Sequence, residues 1–209
     1  MVVGIPKEIV TGEKRVSVVP GIISRLKGIS VLMERGAGEA AGFPDTAYVE
    51  QGVSIVDTSA LYEQSDIILK IQTPTATEAR LFKEGTTLIS FLYPLTNLET
   101  IQILAARRVN ALAMNLIPRS SRAQSMDALS SQAIISGYKA VLLGADSLPR
   151  LFPMLMTAAG TIPPAKVFVI GAGVAGLQAI AVARRLGAMV EAYDVRPAAK
   201  EEIKSLGAT

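Results

Sequence analysis

The chain lacks two of the side chains on which much enzyme chemistry depends: its 209 residues include no cysteine and no histidine. Without cysteine there is no disulfide, no thiol nucleophile and no thiolate metal site. Without histidine the usual general base, the commonest metal ligand and every Ser-His or Cys-His nucleophile system are excluded. A metal held by carboxylates alone needs an acidic cluster of the right kind, and the sequence shows none, so no metal is expected. Tryptophan is also absent, and the aromatics are five Tyr and five Phe. Charge is nearly balanced, with 21 basic and 18 acidic side chains giving +3. The basic residues are scattered, in runs no longer than pairs such as Lys14-Arg15 and Arg184-Arg185. Few stacking aromatics and no basic patch leave nucleic acid unsupported as a partner. The longest notable uncharged stretch, the 17 residues Val167 to Ala183, is short for a membrane span and holds Gln178 and three closely spaced glycines. A strand, a glycine turn and a helix explain it better. The opening MVVGIPKE lacks the basic segment and long apolar core of a signal peptide. The expectation is a soluble, intracellular chain that does not itself enter a membrane.

Half the residues are hydrophobic, enough for a sizeable core. Short apolar runs rich in Val, Ile and Leu predict strands at Val2–Ile5, Ile29–Met33, Val53–Val56, Asp66–Ile71, Thr87–Leu92 and Ala111–Met114. Helices are predicted between them at Pro20–Lys27, Pro44–Gln51, Thr75–Phe82 and Leu98–Arg107, the last with Asn97 as N-cap. Alternating strands and helices predict a parallel sheet covered on both faces. From about Ala123 a long helix is expected, with Met126, Leu129, Ala133 and Ile134 on one face and Gly137 as a weak point. A further helix is expected over Leu151–Ala159, before the boundary pair Pro163-Pro164. The last section predicts a strand (Val167–Ile170), a glycine turn, a helix (Val174–Leu186), a strand (Met189–Tyr193) and a helix (Ala198–Leu206). The fold class is therefore α/β: two Rossmann-like parallel-sheet domains joined by a long helix. The domain limits are 1–118, a connector of 119–163, and 164–209.

The strongest local motif is VFVIGAGVAG, which sets Gly171, Gly173 and Gly176 in G-x-G-x-x-G spacing. The pattern alone is weak. Here it follows an apolar strand, opens a helix, and has Asp194 23 residues after Gly171 at the end of the next strand. That context makes it a dinucleotide fingerprint. Gly171 permits the tight turn, Gly173 leaves room for a pyrophosphate, and Gly176 lets helix and strand approach. Val174 and Ala175 begin the helix whose N–H groups face phosphates. Asp194 accepts from ribose hydroxyls and repels a 2′-phosphate, favouring NAD over NADP, whereas Arg196 could accommodate that phosphate. A second signal is the polar cluster Arg119, Ser120, Ser121, Arg122, Gln124, Ser125, Asp127, Ser130, Ser131. It reads as a capped helix entry, or as a loop able to bind a carboxamide or pyrophosphate. Arg15 and Lys70 are a third signal, read by default as exposed bases.

Together the segments PKE…GEKRVSVVP, DIILK, PRSSRAQSMDALSSQA…GYKAV and PPAKVFVIGAGVAGLQAIAVARRLGAMVEAYDVRP resemble the NAD-binding component of proton-translocating NAD(P) transhydrogenase. The resemblance extends over essentially the whole chain, and RAQSMDALSS is its most specific block. Alanine dehydrogenase is a related family. It is similar in having an Arg and a Lys that hold a keto acid, matched by Arg15 and Lys70, but it uses a His where this chain has Tyr93. The missing imidazole favours the transhydrogenase.

The resemblance implies roles. Gln124 touches the nicotinamide region and, with Asp127, makes up the catalytic pair. Arg119 reaches the phosphates or carboxamide, Asp127 and Ser130 orient the carboxamide, and Arg122 supports a loop that includes Ser120 and Ser121. Val174 and Ala175 lie beside the pyrophosphate, and Asp194, Val195 and Arg196 line the adenosine ribose. It implies NAD on this chain and NADP on a partner domain. A membrane-embedded subunit would couple hydride transfer to proton flow, with the chain itself a homodimer, cytoplasmic and peripheral to the inner face of the membrane. Because 44 residues follow Ala165, against the roughly 150 of a full dinucleotide domain, the second domain is expected to be truncated. A stand-alone amino-acid dehydrogenase and a non-catalytic truncated subunit remain the alternatives.

Overall fold

The computed structural model describes residues 1–26 and 28–209. They divide into two compact units, Met1–Met126 and Asp127–Thr209.

The first unit is built on six parallel strands: β1 (Val2–Ile5), β2 (Ser30–Glu34), β3 (Ser54–Val56), β4 (Ile67–Leu69), β5 (Thr87–Ser90) and β6 (Asn110–Ala113). Their order across the sheet is β3-β2-β1-β4-β5-β6, with Val3 opposite Val31 on one side and Ile67 on the other. Five helices lie along this part of the chain: α1 (Pro20–Ile23), α2 (Asp45–Val49), α3 (Thr58–Gln64), α4 (Ala76–Ala79) and α5 (Leu98–Ala106). One apolar cluster gathers Ile5, Val31, Met33 and Tyr48, and another gathers Leu61, Ile68, Phe82, Leu88 and Leu104. The helix α3 has no counterpart among those expected from sequence; Asp57 caps it by accepting from the Ala60 N–H at 2.8 Å. The expected helix through Lys27 is shorter, with α1 ending at Ile23; Lys27 itself lies outside the described residues. Asn97 takes the N-cap position of α5 as expected, but its side chain does not bond the helix N–H groups; its amide donates to the carbonyls of Leu92 and Tyr93, closing the turn before the helix.

In this order β1 and β4 are neighbours at the point where strand succession reverses, the usual crevice of an α/β sheet. Lys70 stands just beyond the end of β4, and it is not an exposed base. Its side chain is 1% exposed, with Nζ 2.8 Å from Glu78 and 3.3 Å from Glu8. Glu8 also accepts from the Ile71 N–H at 2.6 Å, and Glu78 completes the N-terminal cap of α4 with Thr75. Two carboxylates thus offset one buried ammonium, which is how an ion survives so little water. Arg15 is half-exposed and grips Glu13 in a two-pronged pair of 2.8 and 2.6 Å, with Gln72 adding a bond of 2.6 Å to the same carboxylate.

The second unit begins with α6 (Ala128–Ser147), continues through an antiparallel hairpin of β7 (Leu155–Thr157) and β8 (Gly160–Ile162), and ends in β9 (Lys166–Ile170), α7 (Val174–Arg185), β10 (Met189–Tyr193) and α8 (Ala199–Ser205). The long helix starts later than expected. Ser121–Met126 wind as 3-10 turns, and Asp127 takes the cap position of α6. The expected helix over Leu151–Ala159 is absent. Its residues Leu155–Thr157 pair antiparallel with Gly160–Ile162 rather than winding into a helix. Gly160, at φ +131, lets the chain reverse into β8 instead. Strands β9 and β10 pair in parallel, Val167 opposite Val190 and Ile170 opposite Tyr193. Val167, Val169 and Ala192 pack on a core that includes Ile180, Ala183 and Ile203. No helix among the described residues is long and apolar enough to cross a membrane.

Lys70→Met should destabilise the fold by roughly 3–5 kcal/mol, because it strands two carboxylates away from water. Urea unfolding would measure this, and a loss under about 1 kcal/mol would contradict the buried-pair account. Glu13 gives a pH signature. The Arg15 guanidinium bonded to it, opposed by burial and helped by Gln72, holds its carboxyl down to about 2. A depressed folded value stabilises above the ordinary carboxylate range and is lost as pH falls through that range toward the folded value. The Tm gap between the natural chain and Glu13→Gln should therefore be full at neutral pH and close as pH drops below 4.5 toward about 2. A gap that stayed constant through acid would be the contrary result.

Candidate functional site

Backbone touching backbone defines the turn between β9 and α7. Gly171 has φ +93, in the left-handed region that favours glycine. A Cβ added at Gly176 would lie 1.8 Å from the Gly171 carbonyl oxygen, so any side chain there would push helix and strand apart. A Cβ at Gly173 would meet nothing within 4 Å, which leaves open space in front of the turn. Gly173 caps α7 with its backbone, and among the described residues no side-chain cap bonds the first helical N–H groups. Those of Val174, Ala175 and Gly176 fall where a helix has no acceptor of its own, and the helix dipole adds positive potential there. The donor set and the space fit the pyrophosphate of a dinucleotide.

Asp194 latches this turn to the end of β10. One carboxylate oxygen accepts from the Ala172 N–H at 2.7 Å; the other accepts from the Arg196 N–H at 2.8 Å and from its Nε at 3.0 Å. Arg196 Nη2 also donates to the Ala172 carbonyl at 3.1 Å. The Arg196 guanidinium, then the N–H groups of Arg196 and Ala172, hold the Asp194 carboxyl well below the usual carboxylate range. The same pairing raises Arg196. Asp194 is thus a fixed anion at neutral pH. Nearly all its lone pairs are taken, so a ribose hydroxyl would share them with Arg196 or displace one of its bonds. Val195, between the pair, is 82% exposed. A cavity of about 480 Å³ lies beside this segment, lined by Asp194, Arg196, Pro197, Lys200 and Lys204 among others.

Gly171, Gly173, Val174, Ala175, Gly176, Asp194, Val195 and Arg196 are therefore brought together around one turn of the second unit. Asp127 and Ser130 lie in the same unit at the start of α6, bonded to each other: the Ser130 hydroxyl donates to Asp127 at 2.6 Å and its N–H at 2.9 Å. Arg119, Ser120, Ser121, Arg122 and Gln124 belong to the first unit, at its C-terminal end. Ala123 anchors their segment, at 5% exposed, and the five side chains around it face solvent. None of the five makes a side-chain hydrogen bond or ion pair among the described residues. The sequence pattern leaves one contributor to the second unit hidden, Gly137, which reads there as a weak point of α6. A Cβ on it would lie 2.1 Å from the Ala175 carbonyl oxygen. A glycine inside a helical pattern is the available signal for such packing, though Gly144 of the same helix carries it without any close neighbour.

Comparison with known proteins places the whole chain. Residues 4–136 match the model of the alanine dehydrogenase/PNT N-terminal domain, and residues 140–209 that of the alanine dehydrogenase/PNT C-terminal domain. An NAD(P) transhydrogenase subunit alpha polypeptide of Rhodospirillum rubrum is 49% identical over 99% of this chain and 56% of its own length. Alanine dehydrogenase 2 of Staphylococcus aureus is 32% identical over 99% of this chain and 56% of its own. The crystal structure of transhydrogenase from Sinorhizobium meliloti superimposes with a TM-score of 0.96 at 47% identity, covering 100% of this chain and 63% of that one. The chain thus spans about half the length of the curated relatives it matches. With both of its domains matched in order and a transhydrogenase subunit at 49% identity, the chain belongs to the alanine dehydrogenase/PNT family.

Proposed function

We propose that this chain is an NAD(H)-binding part of a transhydrogenase alpha subunit, which holds NADH while its hydride passes to NADP+ on a domain of a partner subunit. The observation that carries the reading is the glycine turn latched by Asp194, in a chain about half identical to a subunit of that name. The N–H groups at the start of α7 would bind the pyrophosphate. Asp194 would accept from the adenosine ribose. Its fixed negative charge disfavours a 2′-phosphate, and the Arg196 guanidinium is already engaged by Asp194 and the Ala172 carbonyl. Both features support NAD(H) over NADP(H).

The nicotinamide, when bound, supplies the transferable hydride. The protein's role is then to position it and exclude water, which needs no protein base and suits a chain without histidine. By family resemblance Gln124 would touch the nicotinamide region, Asp127 and Ser130 would orient the carboxamide, Arg119 would reach the phosphates or carboxamide, and Ser120, Ser121 and Arg122 would shape that loop. The proposed setting is a homodimer, cytoplasmic and held at the inner face of the membrane by a membrane-embedded partner that couples the transfer to proton flow. An alanine-dehydrogenase role is less favoured. The relative of that name is 32% identical against 49%, and Tyr93 stands where that family has its imidazole.

The test is a titration of the folded chain with NADH, followed by the cofactor's own fluorescence; with no tryptophan present, energy transfer from that source does not arise. Saturable binding is expected, at least about tenfold tighter than for NADPH given one misplaced charge at the ribose. Equal or tighter binding of NADPH would overturn the assignment of Asp194, and no NADH binding by the folded chain would overturn the NAD(H) reading.

A further inference from the structure

Gly137 stands in the middle of α6, far along the chain from the glycine turn, and yet it is buried against it. The ideal Cβ built there falls 2.1 Å from the Ala175 carbonyl oxygen, 3.0 Å from its carbonyl carbon and 3.1 Å from Gln178 Cβ. The first two are backbone atoms of the first turn of α7. They cannot rotate aside as a side chain would. The same turn of α7 is also tied to its own strand, because Gly176 lies directly against the Gly171 carbonyl. The first turn of α7 thus makes two glycine contacts, one within its own motif and one with α6.

The other glycine of α6 makes the contrast. A Cβ at Gly144 would meet nothing within 4 Å, and Gly144 is exposed. Helix propensity disfavours both glycines alike. Only Gly137 has a packing reason to be there.

We propose that Gly137 is a positioning residue for cofactor binding: by allowing α6 to rest directly on the backbone of Ala175, it sets the place of the Asp127–Ser130 turn relative to the phosphate-binding turn. Ten residues of helix separate Asp127 from Gly137, on the order of 15 Å of rigid rise. Asp127 is fixed to that helix as its cap, through Ser130. A displacement of the order of 1 Å at the seam is therefore carried to the helix start rather than absorbed, as close-packed elements transmit strain. The strain falls on α6 rather than on the phosphate turn, since that turn, though α6 touches it at Ala175, is tied to its own strands by the Gly171–Gly176 contact and the Asp194–Ala172 bond. The inference rests on the NAD(H) reading and deepens it. It predicts a fault confined to the nicotinamide half of the ligand.

The experiment compares Gly137→Ala with Gly144→Ala, the same change on the same helix, each checked for folding by far-UV circular dichroism. NADH affinity is read by fluorescence, and that of ADP-ribose, which lacks the nicotinamide, by calorimetry. Gly144→Ala should leave both affinities as in the natural chain. Gly137→Ala should weaken NADH by at least about tenfold and ADP-ribose by no more than about twofold, since small misplacements of reacting groups are costly. A merely structural role would lower both in proportion to the folded fraction. Unchanged NADH affinity in folded Gly137→Ala, or equal loss of both ligands, would overturn the proposal. Should that variant not fold, hydrogen exchange of the natural chain decides. NADH should slow the amides of α6 around residues 134–141 and ADP-ribose should not; equal or no protection by both would overturn it. Failure of the natural chain to bind NADH at all would instead count against the reading on which the proposal rests.

Discussion

The close approach of backbones around Ala175 is the constraint on which the second unit turns. A side chain at Gly176 would strike the Gly171 carbonyl, and one at Gly137 would strike that of Ala175. The consecutive end of β9 and first turn of α7, and the middle of α6 from far earlier in the chain, are thereby packed without side chains between them. Apolar burial then holds the arrangement, through Val141 of α6, Ile180 and Ala183 of α7 and Val190 of β10. Hydrophobic burial is non-directional and would tolerate several spacings. The glycines select one, and it leaves the N–H groups at the start of α7 open to a ligand.

Electrostatics adds the second layer, and it works differently in the two units. Beyond the end of β10 the Asp194 carboxylate, itself largely covered, joins the turn to the exposed Arg196. Beyond the end of β4 the Lys70 ammonium is enclosed by Glu8 and Glu78, and this cluster ties the segment after β1 to that after β4. Both clusters stand where the carboxyl ends of parallel strands put them. In one the Arg196 partner stays exposed to solvent, and in the other all three charges are enclosed.

Much of this is legible in the sequence for a physical reason: the patterns that can be read are those written in consecutive residues. The β9–turn–α7–β10 segment has apolar periodicity, fixed glycine spacing and an acid at the right distance, and its elements lie within a residue of where the pattern puts them. The alternating strands of the first unit are legible in the same way. What escapes depends on partners elsewhere in the chain. Lys70 looks exposed until Glu8 and Glu78 are folded onto it. Asn97 sits at the cap position as its pattern suggests, but its amide bonds back to the carbonyls of Leu92 and Tyr93 instead of to the helix. Gly137 looks like a flaw in a helix until Ala175 is seen against it. The stretch Leu151–Ala159 misleads because its Leu and Met suggest a helix, whereas Gly160, at φ +131, turns the chain so that Leu155–Thr157 pairs with Gly160–Ile162 as a hairpin.

The central claim is that the pyrophosphate of NAD(H) lies against the start of α7 with the adenosine ribose at Asp194. A crystal structure of the chain grown with NADH tests it most directly. The account predicts phosphate oxygens within hydrogen-bond distance of the N–H groups of Val174 or Ala175, and a ribose hydroxyl on Asp194 with Arg196 shifted from at least one of its present bonds. A dinucleotide bound elsewhere, with the glycine turn empty and the Asp194–Arg196 pair undisturbed, would contradict it.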